Sequence, residues 1–123
     1  MKLKLKDIFK PKRYYTIAVD FDGCLSNGKW PEIGDPNWKL IKWLQKQRTL
    51  GDKIILWSCR EGVNLYYAVE ACRQWGLLFD AINNNTIENQ QYFRNNSRKV
   101  YAGLYIDDKS IRWKCKRKRG SGR

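Results

Sequence analysis

Two aspartates one residue apart, Asp20 and Asp22, close an otherwise apolar stretch, Ile17-Ala18-Val19-Asp20-Phe21-Asp22-Gly23. In an extended chain, side chains two positions apart leave the same side, so both carboxylates are able to face one site. Like charges this close repel unless a cation or a proton lies between them; the pair therefore implies a bound divalent metal or one carboxyl kept protonated. The plain structural alternative is a strand followed by an Asp-Gly turn. A second acidic pair, Asp107-Asp108, follows the apolar run Gly103 to Ile106, and Ser58-Cys59-Arg60 follows Lys53 to Trp57. Four carboxylates, the Ser58 hydroxyl and the cations Arg60 and Lys99 suit a hard, oxygen-seeking ion such as Mg²⁺. A hydroxyl and a lysine beside such an ion suit a phosphate, whose oxygens the cations neutralise while a carboxylate attacks phosphorus. Taken alone, Lys99 also reads as a solvated loop lysine. The chain has no histidine, which excludes Ser-His-Asp and Cys-His catalysis and histidine-ligated zinc.

These residues need a scaffold that brings them together. A first strand covers Tyr14 to Asp20; its Tyr15 to Val19 is β-branched, aromatic and apolar, as in a strand buried on both faces of a parallel sheet. Residues 23–34, rich in Gly, Pro and Asn, read as a loop or short hairpin. Asp35 as N-cap with Pro36 in the first turn opens a helix with an apolar face of Trp38, Leu40, Ile41 and Leu44, ended by Gly51. A second buried strand covers Lys53 to Trp57. A second helix runs from Val63 to Trp75, buries Leu65, Ala68, Val69 and Cys72, and is ended by Gly76. Phe79 to Ile82 is a short third strand, and Gly103 to Ile106 a fourth. Between them the asparagine-rich segment 83–97 forms a long loop with a helical turn at Thr86 to Phe93, and a loop of that length in a small domain is usually functional. This alternation predicts a parallel sheet, in which Asp20/Asp22, Ser58/Arg60 and Asp107/Asp108 share one edge.

At 123 residues one domain is expected. With 42% hydrophobic residues it buries a core, to which the six tryptophans supply much of the apolar area. The net charge of +13 is confined to the ends: residues 1–13 carry six basic residues against Asp7, residues 109–123 carry eight and no acid, and 14–108 is neutral. Basic ends on a neutral body predict attraction to a polyanion, most simply nucleic acid, against the alternative of solvated disordered termini. Leu5, Ile8 and Phe9 share helical spacing, giving a short amphipathic turn. Cys24, Cys59, Cys72 and Cys115 form no CxxC pair and read as reduced thiols of a cytoplasmic protein. No hydrophobic run approaches the length of a membrane span.

Four motifs in order resemble those of the haloacid dehalogenase-like (HAD) phosphatase superfamily: Val19-Asp20-Phe21-Asp22-Gly23, Leu56-Trp57-Ser58, Lys99 in Ser97-Arg98-Lys99, and Ile106-Asp107-Asp108. Cys24 departs from the superfamily's usual threonine or valine, with little effect expected. The resemblance implies a Rossmann-like three-layer α/β fold with a mainly parallel sheet over residues 14–110, flanked by a basic segment 1–13 and a basic tail 111–123. It implies that Asp20 is the nucleophile, becoming an aspartyl phosphate, and that Asp22 is the acid and base. Mg²⁺ would be held by the Asp20 carboxylate, the Asp22 carbonyl and Asp107 or Asp108. Ser58, the N–H of Cys59, Arg60 and Lys99 would hold the phosphate. Members of the superfamily usually carry a cap domain, but the spacers here are too short for one, so the site is open to a phosphate on a large molecule or is closed by a second copy in a homo-oligomer. The expected function is a Mg²⁺-dependent phosphohydrolase acting on a nucleotide or nucleic-acid phosphate. The alternatives are a phosphatase of a small phosphorylated metabolite and a non-catalytic nucleic-acid-binding protein, whose basic tail around Trp113 would combine phosphate contact with base stacking.

Overall fold

A computed structural model describes residues 12–111 and 113. The amphipathic turn expected around Leu5 to Phe9, Cys115 and most of the basic tail lie outside these residues. The chain runs β1 (Thr16–Val19), α1 (Trp38–Thr49), β2 (Lys53–Leu56), α2 (Gly62–Gln74), β3 (Ala81–Ile82), α3 (Ile87–Phe93) and β4 (Leu104–Ile106). The strands form one parallel sheet in the order β3-β2-β1-β4, with Val19 level with both Leu56 and Ile106. The α/β alternation of apolar runs and helices thus folds as a Rossmann-like layout without a cap domain.

Burial on both faces explains the unbroken apolar runs. Ile17 and Val19 with Ile54 and Leu56 face one way and pack on Ile41 and Leu44 of α1 and on Ala68 and Cys72 of α2. Ala18 and Ile55 face the other way, under Val100. On that side Asn89 of α3 donates to the Thr16 hydroxyl at 3.2 Å. The core is mainly aliphatic, with Phe21 its one fully buried aromatic ring among the described residues; no tryptophan is fully buried among them, and Trp30, Trp38 and Trp113 are exposed. The expectation that all six supply core area is thus cut back to Trp43, Trp57 and Trp75, which pack partly buried against the core. Trp75 reaches Phe21 only from its edge of the core, as a parallel stack at 6.2 Å.

The start of α1 also differs. Asn37, not Asp35, is the N-cap: its Oδ1 accepts from Leu40 N and its Nδ2 donates to the Cys24 carbonyl. Asp35 and Pro36 are taken up by the preceding loop, where the Asp35 carbonyl accepts from Asn27 N and Pro36 bridges to Ser26. At the other end of the domain, buried Asp52 fixes the entry to β1 by accepting from Arg13 Nε, Tyr14 N, Tyr15 N and Gln47 Nε2. Burial pushes its carboxyl up, but these donors outweigh burial and hold it below the usual range.

Candidate functional site

β1 continues through β2 and β3 on one side, while β4 lies on the other. The strand order therefore reverses between β1 and β4, and crevices of this kind open at the carboxyl ends of such strands. Asp20 and Asp22 leave β1 there, Asp107 and Asp108 leave β4, and Trp57, Ser58 and Cys59 leave β2. They line one cleft of about 760 Å³, together with Lys29, Trp30 and Lys109.

Asp20 is anchored at its backbone, whose N–H donates to the Ile106 carbonyl, and at its side chain, whose Oδ1 accepts from Phe21 N at 2.8 Å. Burial pushes its carboxyl up to about 6; the Phe21 N–H opposes this, and the charges of Asp107, Asp108 and Asp22 add to the rise. Ligand atoms of Asp20, Cys24 and Asp108 all lie within 4.8 Å of one another. Burial and then the charges of Asp20, Asp108 and Asp107 push the Cys24 thiol up to about 11, so at neutral pH it is protonated and a poor ligand. The effective donor set is carboxylate oxygen, which fits a hard divalent cation. Gly23 makes the approach of Asp108 possible. Its φ of +79° is open to glycine, and a Cβ there would collide with the Asp108 carboxylate. Gly23→Ala should therefore push Asp108 away from Asp20 and, if the pair holds the Mg²⁺ expected from the sequence, weaken its binding about tenfold, the scale of supporting-shell changes. A calorimetric titration in which the affinity is unchanged would show that Asp108 takes no part.

The other residues singled out from the sequence divide into those the fold gathers and those it sends elsewhere. Asp107 lines the cleft, and its Oδ1 accepts from Lys109 N at 3.0 Å, closing a turn. The Asp22 carboxylate turns to Arg60, accepting from Nε at 2.8 Å and from Nη2 at 2.7 Å. Arg60 is expected from the sequence to bind phosphate, but its side chain is 1% exposed and further donors go to the Glu32 and Asn64 carbonyls. Its guanidinium also lies 5.0 Å from the Phe21 ring centre. It is thus a buried brace, with four of its five N–H donors engaged within the chain. Ser58 is at the cleft; its Oγ accepts from Arg60 N, and its own N–H donates to Asn83 Oδ1 at 2.7 Å. Cys59 is exposed beside it.

Lys99 does not join this group. It lines a separate cavity with Asn85, Asn89 and Phe93, and its Nζ lies 5.5 Å from the Tyr105 ring centre. Buried Asn85 accepts from Tyr101 N and donates to the Ser97 carbonyl, which turns Val100 into the core; Lys99, its neighbour, is exposed. The lysines at the carboxylate cleft are instead Lys29 and Lys109. With Trp30 and Asn83, these are site residues that the sequence reading passed over. Lys29 and Trp30 sit in a Gly- and Pro-rich stretch with no periodicity, where only its position directly after the acidic motif is a signal.

Among the described residues, no helix is long and apolar enough to cross a membrane. No family model and no curated protein matches the chain. A solved structure of a conserved protein coded by a locus from Bacteroides thetaiotaomicron is similar, with 40% sequence identity over 81% of this chain and 79% of that one and a TM-score of 0.69.

Proposed function

We propose that this chain, which belongs to the same family as that conserved Bacteroides thetaiotaomicron protein, is a Mg²⁺-dependent phosphohydrolase of HAD type, acting in the cytoplasm on a nucleotide or nucleic-acid phosphate. The observation that carries the reading is the meeting of Asp20 with Asp108 at the β1–β4 crevice, where burial raises Asp20 to about 6 and crowding by acids adds to the rise. Such crowding is relieved by a divalent cation. Asp20, Asp108 and the Asp22 carbonyl would hold Mg²⁺, which when bound supplies charge neutralisation for the phosphoryl oxygens.

The residues divide the remaining work. The Asp20 carboxylate, its rotamer fixed by Phe21 N–H, forms the bond to phosphorus as the ester oxygen leaves. Asp22 gives that oxygen a proton and later takes one from the water that cleaves the aspartyl phosphate. Both oxygens of Asp22 are engaged by Arg60, so service as an acid requires one of those bonds to open when substrate enters. Ser58 and the N–H of Cys59 border the phosphate, and Lys29 and Lys109 replace Lys99 as the cations nearest to it. Positioning and charge account for most of the acceleration in phosphoryl transfer.

The test is phosphate release from p-nitrophenyl phosphate and a panel of nucleotides, sugar phosphates and oligonucleotide ends. Activity should fall to background in EDTA and return with Mg²⁺, while Ca²⁺, with its larger and looser shell, should support little turnover. Full activity in EDTA, or rescue by Zn²⁺ alone, would contradict the reading. The concentration of positive charge at the chain ends favours a second reading, nucleic-acid binding without turnover. That reading predicts no release from any ester and an oligonucleotide affinity that falls steeply with salt.

A further inference from the structure

The loop between β1 and α1 is a built element. Buried Ser26 accepts through Oγ from both Gly28 N and Gly34 N, at 3.2 and 2.9 Å, and Asn27 N donates to the Asp35 carbonyl at 2.9 Å. Gly28 and Gly34 face each other so closely that a Cβ on either would strike the other's backbone. At the tip, Glu32 N donates to the Lys29 carbonyl, and the Glu32 carbonyl accepts from Arg60, the residue that braces Asp22. The tip is thereby fixed relative to the acidic motif.

What this fixed tip presents is Trp30, 61% exposed. A tryptophan held at that exposure gains little from folding, since most of its apolar surface stays in water. Trp30 lines the carboxylate cleft and also a neighbouring cavity bounded by Glu61 and Asn64, so it stands as a wall between the two. Trp57 lines the same cleft from the end of β2, and Lys29 precedes Trp30 on the tip.

We infer that Trp30 is a specificity residue, a stacking surface for a planar ring in the leaving group, so that the site takes nucleoside monophosphates in preference to aliphatic phosphate esters. The inference rests on the phosphohydrolase reading for the identity of the phosphate site, and it adds the ring as the feature recognised beside that phosphate. A large rigid indole loses little side-chain freedom when a base stacks on it, and stacking is tolerant of base identity because each base has a π-face.

Two measurements test it. The first compares kcat and KM for thymidine 5′-monophosphate and for glycerol 3-phosphate in the parent, Trp30→Ala and Trp30→Phe. Trp30→Ala should raise KM for the nucleotide about tenfold, the scale of one lost base stack. It should lower kcat/KM for the nucleotide about tenfold more than for glycerol phosphate, and Trp30→Phe should restore most of the nucleotide KM. Equal effects on the two esters, or no effect on either, would overturn the inference. The second measurement does not depend on turnover: the non-hydrolysable methylenephosphonate analogue of the nucleotide is titrated calorimetrically onto the parent and Trp30→Ala in Mg²⁺. If the parent hydrolyses neither ester, the phosphohydrolase reading fails, and the titration decides the ring site by itself. A tenfold weaker binding in Trp30→Ala supports it, and equal binding, or none to either protein, overturns it.

Discussion

Asp20→Asn should abolish phosphate release, by about 10⁴-fold or more, the scale on which loss of a covalent nucleophile falls. The amide is nearly isosteric, its Oδ1 still accepts from Phe21 N, and the fold should persist. The same substitution should have an opposite signature in stability. Asp20 holds its proton more tightly in the folded chain, with its carboxyl at about 6 against an ordinary 3.8. For a raised carboxyl, the folded state binds more protons than the unfolded one between these values, so stability falls as pH rises. In metal-free protein its contribution is fully present below pH 3.8 and is lost as the pH passes through about 6. The asparagine carries no such loss. At pH 7.5 in EDTA the variant should therefore be more stable than the parent by on the order of 1–2 kcal/mol, after allowing for solvent screening of a part-exposed group. With Mg²⁺ the order should reverse. Thermal melts at pH 4 and 7.5, with and without Mg²⁺, measure this. Turnover within tenfold of the parent would sink the nucleophile assignment, and a metal-free melting point lower than the parent's would show that burial and the neighbouring acids do not penalise the Asp20 carboxylate.

Arg60→Ala should cost about 3 kcal/mol of folding stability, within the range for breaking a buried charge pair from one side. The loss has identifiable parts. Asp22, its side chain 26% exposed, keeps its charge without its fork of two donors; the Glu32 and Asn64 carbonyls lose theirs; and Phe21 loses the guanidinium over its ring. For a chain of this size the melting point should drop by roughly 10 °C. Arg60→Lys should be intermediate, because an ammonium is unable to fork onto both oxygens of Asp22 and still reach Glu32. Activity should fall through kcat more than KM, since the residue released is the proposed acid and base. A melting point within 2 °C of the parent's, an interval small beside the ordinary effect of 1 kcal/mol, would remove Arg60 from its bracing role.

The parts of this molecule that were legible in the amino-acid sequence are those governed by short-range rules. Ile17 to Val19 and Ile54 to Leu56 are apolar on both faces because both faces are covered, and their polar successors fall at one sheet edge because the strands are parallel. With Val19 level with Ile106, Asp20 and Asp107 leave the sheet side by side; that Asp108 is the one beside Asp20 depends on the turn after β4 and on Gly23. What sequence order did not disclose depends on partners distant along the chain. Asp35-Pro36 has the chemistry of a helix start, yet its backbone is claimed by Asn27 and Ser26, and the cap passes to Asn37. Arg60 sits one residue from the cleft, but its planar fork matches Asp22, and the pairing buries it. Lys99 occupies the right place in the order of motifs, while Asn85 sets the path of residues 97–101 and so decides which of two neighbours faces inward. No periodic pattern encodes such side-chain-to-backbone ties.

The pinched neck at Gly28 and Gly34 makes the loop tip interchangeable. Its two strands are already joined at Asn27 and Asp35 and by the buried Ser26 hydroxyl, so the sheet does not sense how much chain lies beyond, and the acidic motif senses it only through the carbonyl that Glu32 gives Arg60. Doubling the length of such a closed segment costs only about 0.6 kcal/mol. Residues 29–33 therefore form a cassette. Exchanging them, while keeping the two glycines and a backbone carbonyl for Arg60, would retarget the cleft to a leaving group of different shape without rebuilding the parts proposed to handle the phosphate.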